Sequence, residues 1–202
     1  MRALAVRHGA TDWNTERLVI GQCDPPLNKF GRADAANISH RLAAEQISTI
    51  WTSDLRRAVE TAITIAAGRQ IQISRMSALR EPSFGLLEGI AIKKLEQCGE
   101  WGIRESDKYA YLPPGGESCF MVEERIKPIL KALFGQQDRL PLLVTHIGVL
   151  RVLFRLLNGC SPGDAALLRP LHSDIWIIEA DERNSCMRLF DQSRTPAYVL
   201  AI

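Results

Sequence analysis

The sequence predicts an α/β protein in which a sheet carries helices on both faces. Two observations predict it. Short apolar runs of strand length alternate, along most of the chain, with stretches whose apolar residues recur at helical spacing. Three of the apolar runs end in polar clusters, Arg7-His8-Gly9, Thr52 to Arg57 and Thr145-His146, each leading into a helix or turn. In such sheets ligands bind beyond the carboxyl ends of the strands, so three clusters far apart in sequence are expected at one edge.

The elements follow in order. Arg2 to Val6 reads as a buried strand closing on Arg7-His8-Gly9. Pro25, Pro26, Asn28 and Gly31 break the next stretch into loop. Ala35, Ile38, Leu42 and Ala43 then place an amphipathic helix over about 29–46. Ser48 to Thr52 is a strand. Leu55, Ala58, Val59, Ala62 and Ala66 make a helical stripe, with Ser53 or Asp54 as its expected cap. Ile71 to Ile73 alternates as a short strand. From Glu81 to Gly116, prolines and glycines mark an elaborated, lid-like connection over about 81–117, with a short helix near 91–98. Val122, Ile126, Ile129, Leu130 and Leu133 form a helix face that Pro128 is expected to kink. Pro141 to Thr145 is a strand, Val149 to Leu157 a helix, and Ser173 to Glu179 and Met187 to Phe190 are closing strands.

The chain's 202 residues correspond to a single domain, 1–202, able to bury a core without staples. Apolar residues at 46% and charged residues at 24% exclude a disordered tail, a collagen and a coiled coil. A net charge of +2 gives no argument for a nucleic-acid partner. No apolar run reaches the length of a membrane span, and the apolar run near the N-terminus is too short for a signal peptide, so a cytoplasmic protein without membrane association is expected. The five cysteines, 23, 98, 119, 160 and 186, are odd in number and show no CxxC spacing. They read as reduced, packed thiols, and neither a disulfide framework nor a zinc site is expected.

Chemistry centres on His8. Gly9 lets the backbone turn and a ligand approach. The neighbouring Arg7 disfavours protonation of the imidazole, and neutral imidazole is a nucleophile. Alone, the tripeptide would read as a surface pair, but it heads an ordered set: RHGATDWN, GQCDPPLNKFGRADA, TSDLRRAVETA, LREPSFGLLEG, PPGGES and VTHIGVLR. In this order, over about residues 2–180, the chain resembles the histidine phosphatase superfamily, also called phosphoglycerate mutase-like.

The resemblance implies a three-layer α/β/α sandwich with a mostly parallel central sheet, no cofactor or metal, and a phosphohistidine on His8. It implies that Arg7, Asn14, Arg57 and His146 bind the phosphoryl group, that Gln22 lines its pocket, and that Glu81 gives and takes the proton. Arg57 is chosen over Arg56 because it stands immediately before the alanine of TSDLRRA; Arg56 is left to the solvated helix flank. The sequence departs from mutases in carrying Ile20-Gly21 where they carry a Thr-Gly pair, and in lacking an Arg-Arg pair and insertion between 90 and 117. That favours a phosphatase acting on a small phosphorylated metabolite, similar to bacterial phosphatases of the family such as the α-ribazole phosphatase-like group. A cofactor-dependent mutase and a non-catalytic phospho-ligand module are the alternatives, and a homodimer is left open.

The remaining polar residues have blander readings. His40 is expected to face solvent, and His172 to make a structural hydrogen bond, with substrate contact the lesser option. Glu88 ranks below Glu81 as an acid. Glu117 and Ser118 read as a helix start. Trp13, Trp51, Trp101 and Trp176 read as core or lid packing.

Overall fold

A computed structural model describes residues 1–136, 139–181 and 184–190. The elements run β1 (Arg2–Arg7), α1 (Asp12–Thr15), α2 (Lys29–Arg41), β2 (Thr49–Thr52), α3 (Arg56–Ala66), β3 (Gln72–Arg75), 3-10 turns at Ser77–Leu79 and Gly85–Leu87, α4 (Ile92–Gln97), α5 (Glu100–Ser106), α6 (Cys119–Phe134), β4 (Pro141–Thr145), α7 (Ile147–Asn158), α8 (Pro162–Leu167), β5 (Ile175–Ala180) and β6 (Ser185–Leu189). The six strands form one sheet in the order β3-β2-β4-β1-β5-β6. The first four are mutually parallel, β5 runs antiparallel to β1, and β6 runs antiparallel to β5. This is the α/β architecture with a mostly parallel sheet that was expected.

The two-residue period of the strands builds a core on each face of the sheet. Leu4 and Val6 of β1, Leu142 and Val144 of β4 and Ile50 of β2 pack with Ile38, Ala58 and Ile65 of α2 and α3. Ala3, Ala5, Leu143 and Trp51 point the other way, into a second core with Ile126, Leu130, Leu150 and Leu153 of α6 and α7. Strands buried on both faces read as continuous apolar runs, which is why Arg2 to Val6 and Pro141 to Thr145 stand out in the sequence. Register levels the functional ends: Arg7 lies opposite Thr145, and Thr52 opposite Val144. His8 N–H donates to the Thr145 carbonyl at 2.9 Å and Ser53 N–H to that of Val144 at 3.0 Å. The ladder therefore extends past the strands and sets the three polar clusters side by side.

Several expectations are corrected. The helix expected over 29–46 ends at Arg41, where the Ala43 and Glu45 amides tighten onto His40 and Leu42 carbonyls before Ile47 turns into the core. Neither Ser53 nor Asp54 caps α3, whose N-cap is Leu55: Ser53 Oγ accepts from Leu55 N–H at 3.3 Å, Arg80 takes both oxygens of Asp54 at 2.7 Å, and the Arg56 N–H goes to Asp24 Oδ1 at 2.5 Å. Apart from these corrections, helix α6 continues through Pro128. Pro128 and Glu124, whose carbonyl loses its helical donor, are both exposed, so water can serve that carbonyl. Among the described residues no helix is long and apolar enough to cross a membrane.

The 81–117 connection contains α4, α5 and a small apolar cluster of its own, Val19, Leu87 and Leu95 with Phe84, Ile92 and Trp101 against them. Backbone bonds from Val19 to Ile90, Gly89 to Val19 and Ile92 to Arg17 stitch it to the 17–21 loop. That seam closes one side of the cavity beyond the strand ends.

Candidate active site

His8 sits immediately past β1 and is nearly fully buried. The turn after it is held by close backbone packing. A Cβ on Gly9 would fall 2.2 Å from the Gly31 carbonyl oxygen, and one on Gly31 would fall 2.0 Å from that of Ala10. Gly9 N–H donates to Thr61 Oγ1 at 3.0 Å. His8 Nδ1 lies 2.7 Å from the Gly9 carbonyl, which can only accept, so Nδ1 carries the hydrogen and Nε2 presents its lone pair. Burial, then the charge of Arg57, then His146 and Arg7, push His8 well below the ordinary histidine value. The ring is neutral at pH 7 and competent to attack.

Two arginines flank it. Arg57, in the first turn of α3, is 1% exposed. Its Nη1 and Nη2 donate to the Cys23 and Gly21 carbonyls at 2.6 and 2.8 Å, clamping the 21–23 loop. Arg7 Nη1 donates to the Pro170 carbonyl at 3.1 Å, and burial brings its pKa down to about 10. The Nε atoms of both arginines are buried without a hydrogen-bond partner among the described residues. Arg56, as expected, is exposed, with Glu60 one turn on at 2.6 Å.

Glu81 and His146 meet at the start of α7. Glu81 Oε1 accepts from Gly148 N–H at 2.9 Å, and Oε2 lies 3.9 Å from His146 Nδ1. Gly148 is required there, since a Cβ would come within 2.5 Å of Glu81 Oε1. Burial raises Glu81 above the ordinary carboxylic acid value, against the opposing pull of Arg57 and Arg7. The His146 ring is fully buried, 5.0 Å from that of His8 between centroids, and neither ring nitrogen has a partner among the described residues. Burial, then Arg57 and Arg7, hold it neutral.

Arg7, His8, Asn14, Arg57 and Glu81 lie in the wall of a cavity of about 840 Å³, its open mouth included, and His146 sits behind that wall, against the His8 ring. Asn14 forms a capping box with Thr11 at the start of α1; its Oδ1 accepts from Thr11, which leaves Nδ2 to donate to a ligand. Gln22 is placed differently from the expectation. It is not a wall residue: its Nε2 donates to the Glu81 carbonyl and to Glu117 Oε2, both at 3.2 Å, so its amide braces the acid's backbone. His172 Nδ1 donates to the His8 carbonyl at 2.6 Å, the structural bond expected of it. Glu88 accepts from the Gln22 and Phe84 amides at 2.9 Å, which makes it a loop brace rather than an acid. Ser118 caps α6, accepting from Met121 N–H at 3.3 Å, whereas Glu117 takes none of that helix's amides and pairs with Arg125 farther along it.

Sequence reasoning missed part of the wall. Glu117 bonds Ser83 N–H at 3.0 Å and both Nε and Nη2 of Arg125 at 3.1 Å. Arg104, Lys108 and Arg151 also line the cavity. The only sequence signal for Arg151 is its position one helical turn after Ile147 at a strand-end helix. Among the described residues no group of three or more His, Cys, Asp or Glu is placed to hold a metal ion.

A parallel sheet that delivers a buried neutral histidine, two arginines and a carboxyl to one cavity defines a phosphoryl-handling α/β enzyme. The model of the histidine phosphatase superfamily (branch 1) matches residues 3–192, and the chain belongs to that family. It is a hydrolase of the phosphatase type. It is 30% identical over 186 residues to glucosyl-3-phosphoglycerate phosphatase of Mycolicibacterium vanbaalenii, covering 87% of this chain and 82% of that one. It is 34% identical over 163 residues to phosphoglycerate mutase-like protein 4 of Arabidopsis thaliana, covering 75% and 68%. The structure of α-ribazole phosphatase from Shigella flexneri superimposes with a TM-score of 0.85 at 26% identity, covering 94% and 95%.

Proposed function

We propose that the chain hydrolyses a small phosphomonoester through a phosphohistidine on His8. The observation that carries this is the His8 ring. Its Nδ1–H is fixed on the Gly9 carbonyl, so the Nε2 lone pair belongs to a cavity that Arg7, Arg57 and Glu81 share. Nε2 attacks phosphorus and the ester P–O bond breaks. The leaving oxygen takes its proton from Glu81, which burial favours in the neutral form. Arg7, Arg57, Asn14 and His146 stabilise the transferring oxygens, the guanidiniums by paired charge-assisted bonds. Water then attacks the phosphohistidine, Glu81 recovers a proton from it, and the N–P bond breaks to release inorganic phosphate. Side chains alone supply the charge in this scheme, and no cofactor enters it.

The test is to mix the protein with a phosphate-labelled monoester and quench rapidly. Label on the protein that is lost in acid and stable in alkali, and absent from His8→Ala, supports the intermediate. Hydrolysis without such label would exclude it. The mutase names among the relatives supply a second reading, in which another hydroxyl rather than water receives the phosphoryl group. Conversion of 3-phosphoglycerate that depends on 2,3-bisphosphoglycerate would favour it.

A further inference from the structure

The cavity carries more positive charge than one phosphate group balances. Five cationic side chains line it: Arg7, Arg57, Arg104, Lys108 and Arg151. The two carboxyl groups in the wall do not offset them, since Glu117 is paired with Arg125 and burial favours the neutral form of Glu81. Arg7 and Arg57 flank His8 and match a monoester dianion. The other three remain. Arg104 and Lys108 share one carboxylate, Glu105, at 2.6 and 2.7 Å. Arg151 has no acidic partner among the described residues and donates only its Nε, to the Leu168 carbonyl at 3.0 Å.

These are not solvated surface cations. The side chains of Arg104 and Lys108 are 13% and 12% exposed, and Arg151 is 7% exposed. Burial lowers the proton affinity of Lys108 against the opposing pull of Glu105, and Arg169 and Arg151 add to the lowering. Cations so enclosed are costly unless an anion reaches them. They are also fixed in place: the Arg104 guanidinium lies 4.6 Å from the Trp101 ring and 5.4 Å from that of Phe84. They come from separate elements, the α5 region and α7, so the cluster is assembled by the fold. Arg104 and Arg151 line the same cavity as Glu81. An acid that protonates the leaving oxygen marks the side on which the alcohol part of the substrate extends.

We propose that Arg104, Lys108 and Arg151 form a second anion subsite in the cavity that His8 and Glu81 line, and that the substrate is a phosphomonoester whose alcohol part carries a second anionic group, a carboxylate or another phosphate. This rests on the phosphatase reading above and adds a substrate class to it.

The experiment uses alkyl phosphates of three to five carbons ending in a hydroxyl, a carboxylate or a second phosphate. The wild-type protein is expected to prefer an anionic tail over the hydroxyl tail by about tenfold or more in kcat/KM. Whichever anion leads names the source. Lys108→Gln and Arg104→Gln should each lower that preference ratio by about tenfold, and Lys108→Glu should turn it toward an aminoalkyl phosphate. A wild-type preference within twofold, or a ratio untouched by all three substitutions, overturns the subsite. A binding arm separates this from failure of the phosphatase reading. Alkylphosphonates with carboxylate or phosphonate tails should raise the melting temperature of the wild-type protein more than plain alkylphosphonates do. Equal protection overturns the subsite even if no ester is hydrolysed, and greater protection without hydrolysis upholds the subsite while refuting the phosphatase reading.

Discussion

Mild acid should destabilise this protein through three histidines. His8, His146 and His172 are enclosed and neutral, burial being the first cause in each: the first two lie well below the ordinary histidine value and His172 is brought to about 3. In the unfolded chain they titrate near 6.5. Below that pH the unfolded state holds up to three more protons than the folded one at these rings. Stability is therefore full above about pH 6.5 and falls as pH falls, by about 1.4 kcal/mol per unit for each proton. Glu81 works in the opposite sense. Its folded affinity is raised, so above its unfolded value the folded state holds the extra proton. Near pH 5.5 the three rings together take up nearly three protons on unfolding, at most about 4 kcal/mol per pH unit, and Glu81 reduces that slope. Against a total of about 5–15 kcal/mol, one or two units remove a large share. Urea denaturation followed by tryptophan fluorescence between pH 7.5 and 5 measures the slope. Glu81→Gln, which removes the opposing proton, should steepen it. A flat profile, or higher stability at pH 5 than at pH 7, would refute the reasoning.

Three further outcomes are expected. Glu81→Gln should slow alkyl phosphates by about 100-fold or more and aryl phosphates with good leaving groups far less, and should remove the alkaline limb of the pH–rate profile; equal losses on both substrate types would count against the proton-donor role. Gly31→Ala should cost about 1–3 kcal/mol by driving a methyl into the Ala10 carbonyl, and should lower kcat by displacing the His8 turn; thermal melts and steady-state rates together check it. Thr61→Val, which leaves the buried Gly9 N–H without its 3.0 Å acceptor, should cost about 1–3 kcal/mol in denaturant titrations.

What the sequence made legible is what local patterning controls. Leu4, Val6, Leu142 and Val144 announce strands because both faces of those strands are buried, and the polar residues that follow then fall at their carboxyl ends. Arg57 could be told from Arg56 only by its place before the alanine of TSDLRRA in the family pattern; in the structure it is the one of the two that is buried, 1% exposed. The rest depends on distant partners. Helix α5 was invisible because EWGIRES contains a glycine and none of its residues is buried, so it lacks a core-facing stripe. Glu117 resembles a cap by position, and only the arrival of Arg125 and Gln22 gives it another role. Gln22 lies in the right loop, but the side on which its amide falls is decided by Glu81 and Glu117, far along the chain.

The same arginines can hold the loops and still hold a phosphoryl group, and donor arithmetic shows how. A guanidinium has five N–H groups. Arg57 uses two of them on the Gly21 and Cys23 carbonyls, and Arg7 uses one on Pro170. Three and four remain, including an Nε on each that is buried without a partner among the described residues. Folding thus fixes both planes while leaving donors for a ligand to engage. A lysine at either position could serve the carbonyl or the ligand as a point charge, but could not keep a planar fork aimed at both. Arg57→Lys should therefore loosen the 21–23 loop and lower kcat/KM together, by about 100-fold or more. Retained kcat/KM alongside a lowered melting temperature would confine Arg57 to the structural half of that role.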